Sequence, residues 1–206
     1  MPSADSIRSF SKKEATDLKK SSLKIQFNSP VVLWFALISL AALILGELTG
    51  GETTYRYFCT YSSSWGDPLT YVRLFGHVLG HGGLDHYINN MMFILLLGPI
   101  LEEKYGSGNL LIMILITAAV EGLIIDLFFY GTAVLGASGI VFMFIILSSF
   151  VSASDGSIPV TFILIAVLYI GREVYNGVFI RDQISQLGHV IGGVCGAVFG
   201  FRFSRR

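Results

Sequence analysis

The chain opens polar and then alternates between long apolar runs and short polar breaks. Residues 1–29 are rich in Ser and Lys and hold no apolar core resembling a cleaved signal peptide, so they read as a polar tail. Apolar segments follow at roughly 30–48, 84–101, 109–130, 134–152, 158–171 and 186–203. A spanning helix needs about 20 apolar residues, with a range of roughly 17–25. The fifth run is therefore short; extending it to Tyr175 places Arg172 and Glu173 near an interface. None of the runs shows the period-2 alternation of a barrel strand. The pattern predicts an all-α membrane protein with six transmembrane helices and a long outer connection between the first two.

Composition agrees with this reading. The chain is 53% hydrophobic and 14% charged, with a mean hydropathy of +0.68, whereas soluble domains carry about 25% charged residues. Its formal net charge is zero, so no basic field points to nucleic acid. Cys59 lies in a polar stretch and Cys195 in an apolar run, without CxxC or metal-type spacing. A disulfide needs Cα atoms within about 7 Å, and no loop-to-membrane pairing is expected. The redox compartment stays open.

Charge asymmetry sets an expected orientation. With a cytoplasmic N-terminus, the inner side carries Arg8, Lys12, Lys13, Lys19, Lys20, Lys24, Lys104, Arg202, Arg205 and Arg206. The outer side carries Arg56, Arg73, Arg172 and Arg181. This excess puts both termini inside, with Trp34 as an interfacial anchor. The stretch 49–83, including "TYSSSWGDPLTYVRLF", then lies outside. Its amphiphilic character reads as a segment lying in the headgroup layer rather than a folded domain.

Parity then makes segments two, four and six run inward from the outer side. Each carries polar residues near its start: His86 and Asn90, then Ser138, then His189. At about 1.5 Å per residue, all four fall within roughly the outer third of the membrane. His86 and Asn90 are i and i+4 and share a helix face. "GASG" flanks Ser138 with Gly136 and Gly139, leaving room for a substrate backbone. His189 precedes Gly192, Gly196 and Gly200, a ridge that permits close helix packing. A serine becomes a nucleophile with a histidine base within about 2.6–3.2 Å. Intramembrane polar residues are costly and usually face the bundle interior or water.

These motifs make the chain resemble the rhomboid family of intramembrane serine proteases over residues 31 to 203. The family spacing of His, three residues, His, four residues, His, three residues, Asn is matched by His77, His81, His86 and Asn90. Its GxSG motif is "GASG", and its histidine before a glycine-spaced last helix is His189. Its ExxxGS loop motif falls in "EEKYGSG", at Glu102 and Gly106–Ser107. Two positions depart from the pattern. Val72–Arg73 stands where Trp-Arg is frequent, and Phe142 stands where many members have tyrosine, keeping a ring that could stack on His189 but losing the hydroxyl.

The resemblance implies a rhomboid-like six-helix catalytic membrane domain over 30–203, with a basic tail at 204–206. It implies a serine-type endopeptidase (a hydrolase) with Ser138 as nucleophile and His189 as general base. His86, Asn90 and the Ser138 N–H would stabilise the oxyanion; His77, His81, Gly136, Gly139, Phe142 and Glu102 would support the site. No cofactor, metal or third triad acid is implied. Implied partners are single-span or other transmembrane substrates within the lipid bilayer, the cell membrane being the expected location. The 172–185 connection and the end of segment five are the expected gate.

Two rivals draw on other residues. A transporter or proton channel would use Glu121, about twelve residues into segment three, with Asp126, Thr117 and the histidine cluster. Internal repeats and discontinuous spans are absent. A zinc enzyme would use His77, His81 and His86, but HExxH is missing.

Overall fold

The structure is a computed structural model describing residues 28–152 and 183–204, with a few positions between 160 and 171. Most of the fifth apolar segment, nearly all of the N-terminal tail and most of the expected gate lie outside the described residues.

Five of the apolar runs are helices. α1 (Pro30–Leu48) is followed by a short α2 (Glu52–Tyr57) and strand β1 (Thr60–Tyr61). Then come α3 (Pro68–Gly76), a 3-10 turn over His77–Leu79, α4 (Leu84–Tyr105) and α5 (Ser107–Phe128). Strand β2 (Ala133–Val134), α6 (Ser138–Ser152) and α7 (Gln183–Ser204) complete the described elements. Among them α1, α4 and α5 are long and apolar enough to cross a membrane, while α6 and α7 contain shorter apolar helices. Their outward faces expose large apolar side chains such as Leu96, Ile112 and Val198, as expected of surfaces that meet acyl chains.

Side-chain contacts fix the helix directions. Tyr87 Oη donates to the Ala36 carbonyl while Glu102 meets Val31 and Val32, so α1 and α4 are antiparallel. Gly98 packs on Phe144 and Gly136 on His86. Positions on α6 thus advance with those on α4, and the two helices are parallel. Gly192 meets the Gly139 backbone, Gly196 the Met143 backbone and Gly200 the Phe150 ring. α6 and α7 are therefore parallel as well. α5 runs against them, with Thr117 beside Met143 and Glu121 beside Gly139. The expected co-directional trio of α4, α6 and α7 is present.

The α1 start shows how polar groups survive in this setting. Helix starts leave N–H groups without intrahelical acceptors. Pro30 has no N–H, and Ser29 makes no side-chain cap. The carboxylate of Glu102, 3% exposed near the end of α4, supplies the acceptors instead. Its two oxygens accept from Val31 N and Val32 N at 3.0 Å each, and Ser107 Oγ donates to it at 2.7 Å. A negative charge at a helix N-terminus is favoured, so one side chain ties α1, α4 and α5 together.

The connection between α1 and α4 corrects the expectation that it is not a folded domain. It is folded, because its polar groups find partners within it and on α5. Asp67 caps α3 by accepting from Leu69 N at 2.9 Å, with Pro68 in the first helical turn. That N–H and the Arg73 guanidinium hold the Asp67 carboxyl below the usual carboxylate range. Arg73 Nη2 donates to Ser63, Asp67 and Thr70 at 3.0–3.1 Å, and its guanidinium lies over the Tyr61 ring. Asp126 of α5 accepts from Ser63 N at 3.0 Å, and β1 pairs antiparallel with β2. Burial pushes the Cys59 thiol up to about 11, so it stays protonated. Cys59 and Cys195 are both free thiols.

Replacing Glu102 by Ala strands the α1 N–H groups and should destabilise the protein by roughly 1–3 kcal/mol. Thermal unfolding in detergent checks this, and Glu102→Gln, which keeps one acceptor oxygen, should lose less.

Candidate active site

"GASG" is the link between β2 and α6. Its backbone is anchored by Gly136 N, which donates to the His77 carbonyl at 2.9 Å. Gly136 has φ +127, in the region where side chains are strained. A Cβ there would also lie 2.8 Å from His86 Cε1 and Nε2 and 4.0 Å from Asn90 Nδ2. Glycine is thus required twice over, by dihedral and by the seat it takes on α4.

Hydrogen bonds assign the protons at that seat. Gly82 N–H donates to His86 Nδ1 at 3.4 Å, so a neutral ring carries its hydrogen on Nε2, the nitrogen facing Gly136. Asn90, 4% exposed, donates one Nδ2 hydrogen to the His86 carbonyl at 3.1 Å. An amide NH₂ has a second hydrogen to give. Ser138 is half-buried and is the first residue of α6, where N–H groups have no intrahelical acceptor. The His86 ring and Asn90 Nδ2 lie beside Gly136, two residues before Ser138.

His189 reaches the same region from α7. Its ring, 5% exposed, stacks on Phe142 with centroids 4.4 Å apart and planes 15° from parallel. Phe142 is one turn after Ser138, so the stack seats the imidazole on the serine's face of α6. The approach depends on small residues: a Cβ on Gly192 would collide with the Gly139 carbonyl oxygen.

The remaining histidines face different ways. The buried His77 ring directs Nδ1 to the Arg73 carbonyl at 3.1 Å, with Nε2 3.8 Å from Glu121 Oε2. His81 directs Nδ1 to the Leu79 carbonyl at 3.1 Å and packs edge-on against His86 and Tyr87. The Nδ1 atoms of His77, His81 and His86 thus turn toward Arg73, Leu79 and Gly82 rather than one shared point. His81 also lines a recess of about 430 Å³ with Gly46, Tyr55, Cys59, Gly82 and Leu135.

Of the residues singled out from the sequence, His86, Asn90, Gly136, Ser138, Gly139, Phe142 and His189 come together. His77 and His81 lie against them, whereas Glu102 acts at the far end of α4. Glu121 faces the protein interior, as expected, at 2% exposure. Sequence reading missed Gly188, whose place beside Glu121 is argued below, and the Asp126–Ser63 tie. The signal for Gly188 was its adjacency to His189; nothing local pairs residue 63 with residue 126.

Comparison with known proteins agrees with the geometry. The Rhomboid domain family model matches residues 68–206. The chain is similar to the Rhomboid protease GlpG of Pectobacterium atrosepticum, 27% identical over 179 residues, covering 84% of this chain and 62% of that protein. The chain thus spans somewhat under two thirds of that relative's length. It is also similar to the Rhomboid protease GlpG of Haemophilus influenzae, 22% identical over 169 residues, covering 80% of this chain and 87% of that protein.

Burial, reinforced by the neighbouring His86, pushes the His81 imidazole down to about 4 from 6.5. Between these values the unfolded chain binds more protons than the folded one, so stability falls as pH drops from about 6.5 toward 4. Thermal unfolding across that range should show the decline, and His81→Asn should flatten it.

Proposed function

The chain belongs to the rhomboid family, and on that premise we propose that it is an intramembrane serine endopeptidase that cleaves transmembrane proteins through a Ser138–His189 dyad. The observation that carries this reading is the position of the GASG segment. Gly136 at one end rests on His86 and Asn90, and Gly139 at the other rests on Gly192, three residues beyond His189. These contacts support a reading in which the His189 base and the donors on α4 serve the Ser138 hydroxyl.

His189 removes the Ser138 Oγ proton as Oγ attacks the scissile carbonyl carbon. The carbonyl oxygen, now an oxyanion, accepts hydrogen bonds from His86 Nε2, Asn90 Nδ2 and the Ser138 N–H. The α6 N-terminus adds a favourable dipole. Collapse expels the amine, which takes the proton from His189. Water then enters and loses a proton to His189 as its oxygen bonds the acyl carbon. The Oγ–carbon bond breaks, the acid leaves, and Ser138 Oγ regains the proton from His189. No step needs a metal.

The substrate is a membrane helix. Its carbonyls are tied up in internal hydrogen bonds, so cleavage requires local unwinding, which Gly, Pro or small residues near its outer end favour. The recess beside His81 receives part of the unwound strand. The full reading has six crossings, both termini cytoplasmic and the cell membrane as the location, supported by the Lys and Arg asymmetry.

A fluorophosphonate probe should label wild type and not Ser138→Ala. His189→Ala should abolish cleavage of a single-span substrate while the protein stays folded. Equal labelling of wild type and Ser138→Ala would overturn the assignment.

His86→Ala and Asn90→Ala should each lower kcat by about 10–10³-fold, a partial loss because the other donors remain. Chelators should leave activity intact. Chelator-sensitive cleavage restored by zinc would instead support the histidine-metal alternative.

A further inference from the structure

Glu121 lies mid-helix in α5, 2% exposed, yet among the described residues no hydrogen bond holds its Oε2. His77 Nε2 is 3.8 Å from it and also lacks a hydrogen-bond partner among the described residues. That separation is too long for a hydrogen bond. What fixes the carboxyl is shape. A Cβ added to Gly139 would strike Oε2, with Cδ at 3.0 Å; a Cβ added to Gly188 would strike Oε1, with Cδ at 3.3 Å. The carboxyl thus occupies the space that two side chains would fill.

Those two glycines are the chain neighbours of Ser138 and His189. We infer that Glu121 is a positioning residue whose carboxyl, wedged between Gly139 and Gly188, sets the separation of nucleophile and base. The wedge acts at the start of α6 and about one turn of α7 before Gly192. Below it, Gly192 lies on the Gly139 backbone and Gly196 on Met143, leaving no freedom to adjust. At the level of Gly188 the Glu121 carboxyl lies between the two helices, beside the Phe142–His189 stack. Bulk at residue 188 therefore has to displace the carboxyl, the His189 backbone, or both.

This rests on the dyad reading, and the experiment separates the two. Wild type, Gly188→Ala, Glu121→Ala and the double variant of the full chain are compared. The readouts are kcat and KM on a single-span substrate, Ser138 labelling by a fluorophosphonate, and thermal unfolding. Misplacement of a reacting group by about 1 Å costs on the order of 10²-fold, so Gly188→Ala should lower kcat on that scale with little change in KM. Glu121→Ala should lower kcat about tenfold through a looser dyad. In the double variant the added methyl occupies the vacated space, and it should cost less than about threefold beyond Glu121→Ala alone.

Additive losses overturn the inference, as does wild-type kcat in Glu121→Ala. A Gly188→Ala protein that folds only together with Glu121→Ala supports it; one that folds in neither background overturns it. Should Glu121→Ala itself not fold, Glu121→Gln and Glu121→Asp decide. Gln, of equal length, should keep kcat while Asp, one methylene shorter, loses it; equal kcat in both overturns the wedge. Absence of Ser138 labelling in the wild type defeats the serine reading instead, while labelling accompanied by additive losses defeats only the role of Glu121.

Discussion

Close approach of α6 and α7 is the condition on which the site depends. In lipid, helices gain little from burying apolar side chains against each other, so association rests on packing at short range. Gly192, Gly196 and Gly200 supply that range, meeting Gly139, Met143 and Phe150. A methyl on Gly192 would meet the Gly139 carbonyl, and helix separation would have to grow. His189 and Phe142 would then lose their stack, and Ser138 its neighbour. The site's geometry is thus a consequence of backbone contact, with side chains such as Phe142 making the final adjustment.

Polar groups in this protein bind elements together because the surrounding solvent cannot satisfy them. Glu102 joins the start of α1 to α4 and α5 through three hydrogen bonds. Asp126 joins α5 to the outer connection, and His77 joins α3 to the GASG segment through its ring and its carbonyl. Each would be costly if unpaired. Together they hold the connection between α1 and α4 against α5, and the loop before Ser138 against the turn that follows α3. The fold itself thus holds the GASG segment against His86 and Asn90, and groups preorganised in this way are where electrostatic stabilisation is most effective.

Much of this was legible along the chain because membrane solvation imposes a simple code. Apolar runs near 20 residues mark helices, and α1 begins and ends where the pattern placed it, at Pro30 and Leu48. α4 runs four residues beyond its apolar run, because Glu102 to Tyr105 can continue the helix while Glu102 finds partners inside. α6 starts later than its apolar run, since Ala133 and Val134 pair with β1 instead. Helical periodicity also put His86 with Asn90 and Ser138 with Phe142. These are local regularities, readable from spacing alone.

What spacing cannot convey is which groups meet across long separations. The outer connection looked like a headgroup strap because its amphiphilicity is a property of composition. Its order comes from Arg73, Asp67, Ser63 and Asp126 pairing in three dimensions. Glu102 belonged to a motif without any sign that its acceptors would serve Val31 and Val32, some 70 residues earlier. Glu121 was visible as an isolated charge in an apolar run, and the sequence required only that it face inward. That its carboxyl lies between Gly139 and Gly188 was decided by helix packing. The sequence determined the helices and the chemical groups they carry, because local hydrophobicity and the 3.6-residue turn dictate both. The tertiary structure alone decided which groups touch, because contact depends on where glycines let distant backbones approach.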